Sequence, residues 1–142
     1  MRLTSLNVSD LVETVWQGKT VTSGIFKEPV SGRRAVGKLG IEGDKQADPR
    51  FHGGEFKAVY AYSADAYPWW EAQLGRALGP GAFGENLTVS GLVDEELCVG
   101  DTLRVGTALL EAVQPRQPCW KLGMRYHHRI GRSRRRRSPV GH

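Results

Sequence analysis

Glycine punctuates this chain so densely that its apolar runs are all short: 18 of the 142 residues are glycine. Glycine weakens the interior of a helix or strand, yet reaches the positive φ that tight turns need. The pattern therefore predicts many short strands joined by turns, and a length suited to one domain with a real core. "RLTSLNVS" alternates Leu and Val with polar residues and reads as a first strand. "ETVWQGKTVTSGIF" reads as two strands about a Gln17-Gly18 turn, and "RRAV" and "KLGI" as brief extended pieces. "KAVYAY", "ENLTVSGL", "LCVGDTLRVG" and "ALLEAVQ" supply the remaining strands. The main helix is expected over residues 68–78: Pro68 opens it, Trp70, Leu74, Ala77 and Leu78 share a face, and "GPG" stops it. No βαβ alternation is visible. The fold class is β-rich, all-β to α+β, either a β-barrel or an α+β fold.

Charge divides the chain in two. The formal net charge is +5, but seven arginines and no acid lie between Arg125 and His142. Without them the body holds 13 basic against 15 acidic residues, a balance near −2. Residues 126–142 thus read as a basic tail, with no aromatic stacking platform and no apolar period, for which a solvated, disordered end is expected over nucleic-acid binding. No apolar run approaches the roughly 18–20 residues of a membrane helix. "MRLTSLNVSDLVETV" has polar and charged groups where a signal peptide needs an apolar core. The expected compartment is the cytoplasm, where Cys98 and Cys119 would remain free thiols. No clustered Cys/His spacing argues for zinc.

Four stretches hold chemistry. In "GIEGDKQADPRFHGG", Asp44 and His52 crowd a polar loop, and Gly53-Gly54 permits close backbone approach to a ligand. In "GPGAFGENL", Phe83 is the lone large apolar residue among glycines, and Glu85-Asn86 enter a strand; an Asn amide both donates and accepts, as reading a heterocycle edge requires, although a plain helix-to-strand connection fits equally. "CVGDTLRVG" reads as structural, with Cys98 in an apolar strand and Gly100-Asp101 as a hairpin turn. In "QPRQPCWKLG", Pro115 and Pro118 fix φ and remove two donors, so a preset loop presents Arg116 and Cys119. Arg116 offers a planar fork for phosphate or carboxylate. Cys119 suits a nucleophile, a persulfide carrier, a soft-metal ligand or a buried structural thiol.

Taken in order, "GDKQAD…HGG…KAVYAY", "PGAFGENLTV", "VGDTLRVG" and "QPRQPCWKLG" resemble the MOSC domain, the module named for the C-terminal part of molybdenum cofactor sulfurases, in its YiiM-type branch. The resemblance covers residues 1–125. It implies a MOSC-type β-barrel whose pocket binds the molybdenum cofactor, with Cys119 as the metal's ligand. It further implies reduction of N-hydroxylated compounds, toxic purine analogues among them, with electrons from a partner reductase of flavin and iron–sulfur type. Matched to the motifs, Arg116, Glu85, Asn86, Gly53, Gly54 and Phe83 would line the cofactor site. Lys27 and Lys57 would serve its phosphate, and His52 or Asp44 would pass protons. The alternative is a sulfur carrier holding a persulfide on Cys119. The family's further strand, with its glycine-aromatic-arginine pattern, has no counterpart in "GMRYHHRIGRSRRRRSPVGH", so an atypical or truncated C-terminus is expected.

Overall fold

A computed structural model describes residues 1–45, 58–115 and Arg125. Strand β1 (Arg2–Val8) sits at the heart of a four-stranded sheet whose order is β4-β1-β8-β7, with β4 at Glu28–Pro29, β7 at Ala61–Ser63 and β8 at Leu87–Ser90. β1 runs antiparallel to both β4 and β8, pairing Leu6 with Leu87 and Leu3 with Val89. The register slips between Leu3 and Ser5, and there the Thr4 hydroxyl donates to the Thr88 carbonyl at 2.8 Å. A side chain thus joins the two strands where the regular ladder is interrupted.

Three two-stranded hairpins complete the strand inventory: β2 (Val12–Trp16) with β3 (Lys19–Ser23), β5 (Val36–Gly37) with β6 (Gly40–Ile41), and β9 (Thr102–Val105) with β10 (Ala108–Glu111). The first turns at Gln17-Gly18, as expected, and both residues take positive φ, 52° and 76°. Those signs suit a two-residue hairpin loop whose twist matches its strands. The expected strand-rich class is borne out, but the strands close into no barrel among the described residues.

β7 and β8 are parallel, and the chain crosses between them through helix α1, Tyr67–Leu74. The chain therefore has one parallel crossover, which its sequence pattern did not suggest. Pro68 does lie in the first turn, but the helix stops well short of the expected residue 78. Gly75 takes a left-handed conformation at φ 67° and its N–H bonds to the Glu71 carbonyl at 2.9 Å. A left-handed glycine of this kind ends a helix by capping its free carbonyls. The Glu71 carboxylate then accepts from the Leu78 N–H at 3.1 Å, fixing the non-helical chain that follows.

Two apolar clusters pack in the fold. One is aromatic: Tyr62, Tyr67, Trp70 and Phe83 bury against Ala66 and Ala82. The Phe83 ring lies 4.8 Å from Tyr62 and 5.3 Å from Tyr67, centroid to centroid, the latter edge-on. The Trp70 indole N–H donates to the Tyr62 hydroxyl at 2.8 Å, so burying these rings leaves that donor satisfied. The other is aliphatic, formed by Ile41, Leu87, Val89 and Leu92, with Val105 and Leu110 of the β9–β10 hairpin packed against it. Strand alternation on β8 turns Leu87 and Val89 into this cluster and leaves Thr88 for the opposite face.

Two expectations around residue 98 are corrected. Cys98 is an exposed turn residue rather than a core strand residue. Its N–H bonds to the Asp101 carboxylate at 2.8 Å, and the Asp101 N–H returns to the Cys98 carbonyl, so a side-chain-closed turn replaces the strand. Gly100-Asp101 belongs to that turn. The hairpin reverses instead at Gly106-Thr107, since Val105 pairs with Ala108.

Candidate functional site

Glu85 and Asn86 stand at the entrance to β8, and two buried polar clusters grow from them in different directions. Glu85 is completely buried. Its carboxylate receives the Tyr67 hydroxyl at 2.9 and 3.0 Å and the Phe83 N–H at 3.3 Å, while the Ala82 N–H donates to the Tyr67 oxygen at 3.2 Å. The side chain thereby fastens the "GAFGEN" loop to α1. Burial drives the Glu85 pKa up to about 7, against the pull of its hydrogen bonds from Tyr67 and Phe83 and the nearby positive charge of Arg125. Burial, reinforced by the neighbouring carboxylate, pushes the Tyr67 phenol well above its ordinary range.

Asn86 faces the second cluster. Its amide nitrogen donates to the Asn7 carbonyl at 3.2 Å and to the Asp44 carboxylate at 2.8 Å, and its amide oxygen accepts the Tyr60 N–H at 3.1 Å. The other Asp44 oxygen receives the Ser9 N–H at 2.9 Å and the Lys27 ammonium at 2.6 Å. That ion pair is out of water on both sides, with 5% of the Lys27 side chain and 2% of the Asp44 side chain exposed. Asn7, on the inward side of β1, completes the cluster by donating to the Glu85 carbonyl and the Thr88 hydroxyl. Charges this deep remain favourable only when paired and hydrogen-bonded, and these are both.

Glycine makes the approach of the two loops possible. A Cβ on Gly81 would stand 2.8 Å from the Lys27 carbonyl, and one on Gly84 would stand 3.0 Å from Ile25 Cγ1; both residues have positive φ. Beside this contact runs a surface groove of about 470 Å³, bounded by Phe26, Lys27, Pro29, Leu78, Pro80 and Arg125.

Of the residues singled out from sequence, the structure brings together Lys27, Asp44, Phe83, Glu85 and Asn86. Phe83 is a core ring, and the polar atoms of the other four meet one another or nearby protein groups. These five frame the site. Cys119, Arg116, His52, Gly53, Gly54 and Lys57 lie outside the described residues. No cluster of three or more metal-ligating side chains occurs among the described residues, and no described helix is long and apolar enough to cross a membrane. Sequence reading passed over Tyr67, Asn7 and Arg125. Each had a faint signal: Tyr67 precedes the helix-opening proline, Asn7 is the polar residue of an otherwise inward strand position, and Arg125 begins the basic end.

Comparison with known proteins agrees with this frame. The family model of the MOSC domain matches residues 48–141, reaching into the arginine-rich end. The uncharacterized protein YflK of Bacillus subtilis is 44% identical over 122 residues, covering 86% of this chain and 55% of its own length. A protein of Gibberella moniliformis named "Reductase" is 38% identical over 113 residues, which are 77% of this chain and 20% of that protein. The crystal structure of YiiM from Geobacillus stearothermophilus superposes with a TM-score of 0.67 at 37% identity, covering 89% of this chain and 56% of that one. This chain belongs to the MOSC domain family, and its relatives place it with the YiiM-like members. It spans about half the length of YflK and of the solved YiiM.

Proposed function

We propose that this protein binds the molybdenum cofactor and reduces N-hydroxylated compounds, with Cys119 as the protein ligand to the metal. The observation that carries the reading is family membership together with a cysteine on the "PRQPC" loop, supported by a relative that bears the name reductase. The donor set fits the group chemically. A thiolate suits molybdenum, the guanidinium of Arg116 and the ammonium of Lys57 suit a phosphate, and Gly53-Gly54 allows close backbone approach. The cofactor would supply a metal able to deliver two electrons, and with two protons these turn R–NHOH into R–NH2 and water.

The chain's own residues then have separable tasks. Cys119 holds the metal, and Arg116 and Lys57 hold the phosphate end. His52 holds a transferable proton at its imidazole, a ring that titrates near neutral pH. Lys27 and Asp44 fix each other and, through Asn86, fix the β8 entrance; this pair keeps a cation at the groove wall. Glu85 and Phe83 hold the loop that carries them against α1. The electrons would come from a partner reductase of flavin and iron–sulfur type, and the reaction would take place in the cytoplasm.

The test is metal content and reductase activity of protein made in a host that synthesises the cofactor. Molybdenum near one per chain, lost in Cys119→Ser, with reduction of N-hydroxyadenine by dithionite-reduced viologen, is the expected result. Sulfane sulfur on Cys119 without molybdenum would replace this reading with the sulfur carrier.

A further inference from the structure

Arg125 makes bonds that neither the fold nor the motif pattern requires. Its guanidinium donates from one nitrogen to two main-chain carbonyls, Ile25 at 2.7 Å and Gly81 at 2.8 Å. Its plane stands over the Phe26 ring, 5.6 Å from the centroid, within reach of a cation–π attraction. Both carbonyls are already set by tight turns: Ile25 accepts the Lys27 N–H at 2.8 Å, and Gly81 accepts the Gly84 N–H at 3.0 Å. Arg125 therefore joins two preformed turns. One leads into Lys27, the other into Glu85, and both belong to the frame described above.

The covalent chain supplies the second half of the argument. Arg125 is six positions beyond Cys119, and six residues span at most about 20 Å. The only described residue after position 115 is thus bonded, at a fixed covalent distance from the thiol, to both loops of the frame. We propose that Arg125 is a positioning residue: by tying the chain after the Cys119 segment to the Ile25 and Gly81 carbonyls, it sets the environment in which the Cys119 thiol works. Its charge also reaches the Glu85 carboxyl, so the anchor acts on both sides of the "GAFGEN" loop. Arginine suits the task because its fork stays charged at all working pH values and can serve several acceptors while stacked on a ring.

The inference rests on Cys119 as the working thiol, and its test is independent of bound cofactor. Iodoacetamide alkylation of Cys119 is followed against pH by mass spectrometry in cofactor-free protein, with the exposed Cys98 as reference. In Arg125→Met, which keeps the stem but loses the donors, the Cys119 rate at a given pH is expected to change at least fivefold. Its pH midpoint should move toward that of an ordinary thiol, about 8.5, while Cys98 is unchanged. Arg125→Lys, which retains charge and donors, is expected to restore most of the parent profile. A Cys119 profile that coincides in Arg125→Met and parent overturns the proposal. If Arg125→Met does not unfold cooperatively, Arg125→Lys carries the test: a twofold or larger displacement supports the anchor, and coincidence with the parent overturns it. Failure of the molybdenum reading would appear instead as absent metal with the alkylation difference intact.

Discussion

Replacing Glu85 with Gln isolates the cost of keeping an ionisable group where this fold keeps one. The side chain is fully buried, and its pKa stands at about 7 against an ordinary 4.5. A carboxyl with a raised native pKa binds its proton more tightly folded than unfolded. It therefore contributes stability fully below about pH 4.5, and this is lost as the pH rises through 7. Each pKa unit corresponds to about 1.4 kcal/mol, so the whole displacement is worth about 3 kcal/mol. Between pH 5 and 8 the parent should lose about 2.5 kcal/mol that Glu85→Gln does not lose. The amide keeps an acceptor for Tyr67 and for the Phe83 N–H, and its NH2 can meet the phenol oxygen as a donor once the hydroxyl rotates. Urea unfolding followed by tryptophan fluorescence at pH 5, 6, 7 and 8 measures the difference, and subtracting parent from variant cancels every other titrating group. Tyr67→Phe checks the direction: without the phenol donor the carboxylate is harder to hold, so its penalty should grow more at pH 8 than at pH 5. A parent–variant difference that stays flat within about 0.5 kcal/mol, or that favours the parent increasingly as pH rises, refutes the reasoning.

Asp44→Asn removes the counter-charge of the buried Lys27 ammonium and should cost about 3–5 kcal/mol in urea unfolding. The double variant Lys27→Met/Asp44→Leu should cost less than the two single changes combined, the sign of direct coupling. Gly81→Ala forces a Cβ to within 2.8 Å of the Lys27 main chain at φ +82°, and should destabilise by about 2 kcal/mol or more. Gly75→Ala, also at positive φ but with nothing within 4 Å, should cost only about 1 kcal/mol, and equal effects at the two positions would deny the close approach.

What sequence revealed of the fold depended on locality. β1 and the β2–β3 hairpin were legible because alternation and a glycine turn lie within a few neighbouring residues. The end of α1 was misjudged for a local reason too. Gly75 and "GPG" are both stop signals, and the Glu71 carboxylate that holds Leu78 outside the helix leaves no periodic mark. The reach of Cys98 into a strand failed because Asp101 folds back on the Cys98 N–H and wins the backbone locally. The site was legible as a set of positions but not as a set of contacts. Lys27 and Asp44 are 17 residues apart, Tyr67 and Glu85 are 18, and Asn7 and Glu85 are 78. Charged residues look alike in sequence whether solvated or buried, so only the fold could show that these pair with one another.

The adjacency of Glu85 and Asn86 is what lets two clusters share one strand entrance. Consecutive residues of an extended segment point to opposite sides, so Glu85 takes the helix side with Tyr67 while Asn86 takes the side of Asp44 and Lys27. Local stability alone does not account for an acid at position 85. A Gln would make the same hydrogen bonds without the penalty of a charge that burial raises to a pKa of about 7, and buried ionic groups are commonly outperformed by neutral replacements. What Gln cannot do is attract a cation. Arg125 is the cation whose charge acts on Glu85, and it is bonded to the carbonyl of Gly81, four residues earlier in the same loop. The carboxylate thus draws toward the loop the arginine that ties down the chain beyond Cys119. On this account Glu85→Gln should be more stable than the parent at pH 8 and yet show a displaced Cys119 alkylation profile, a pairing that a purely structural role for Glu85 would not produce.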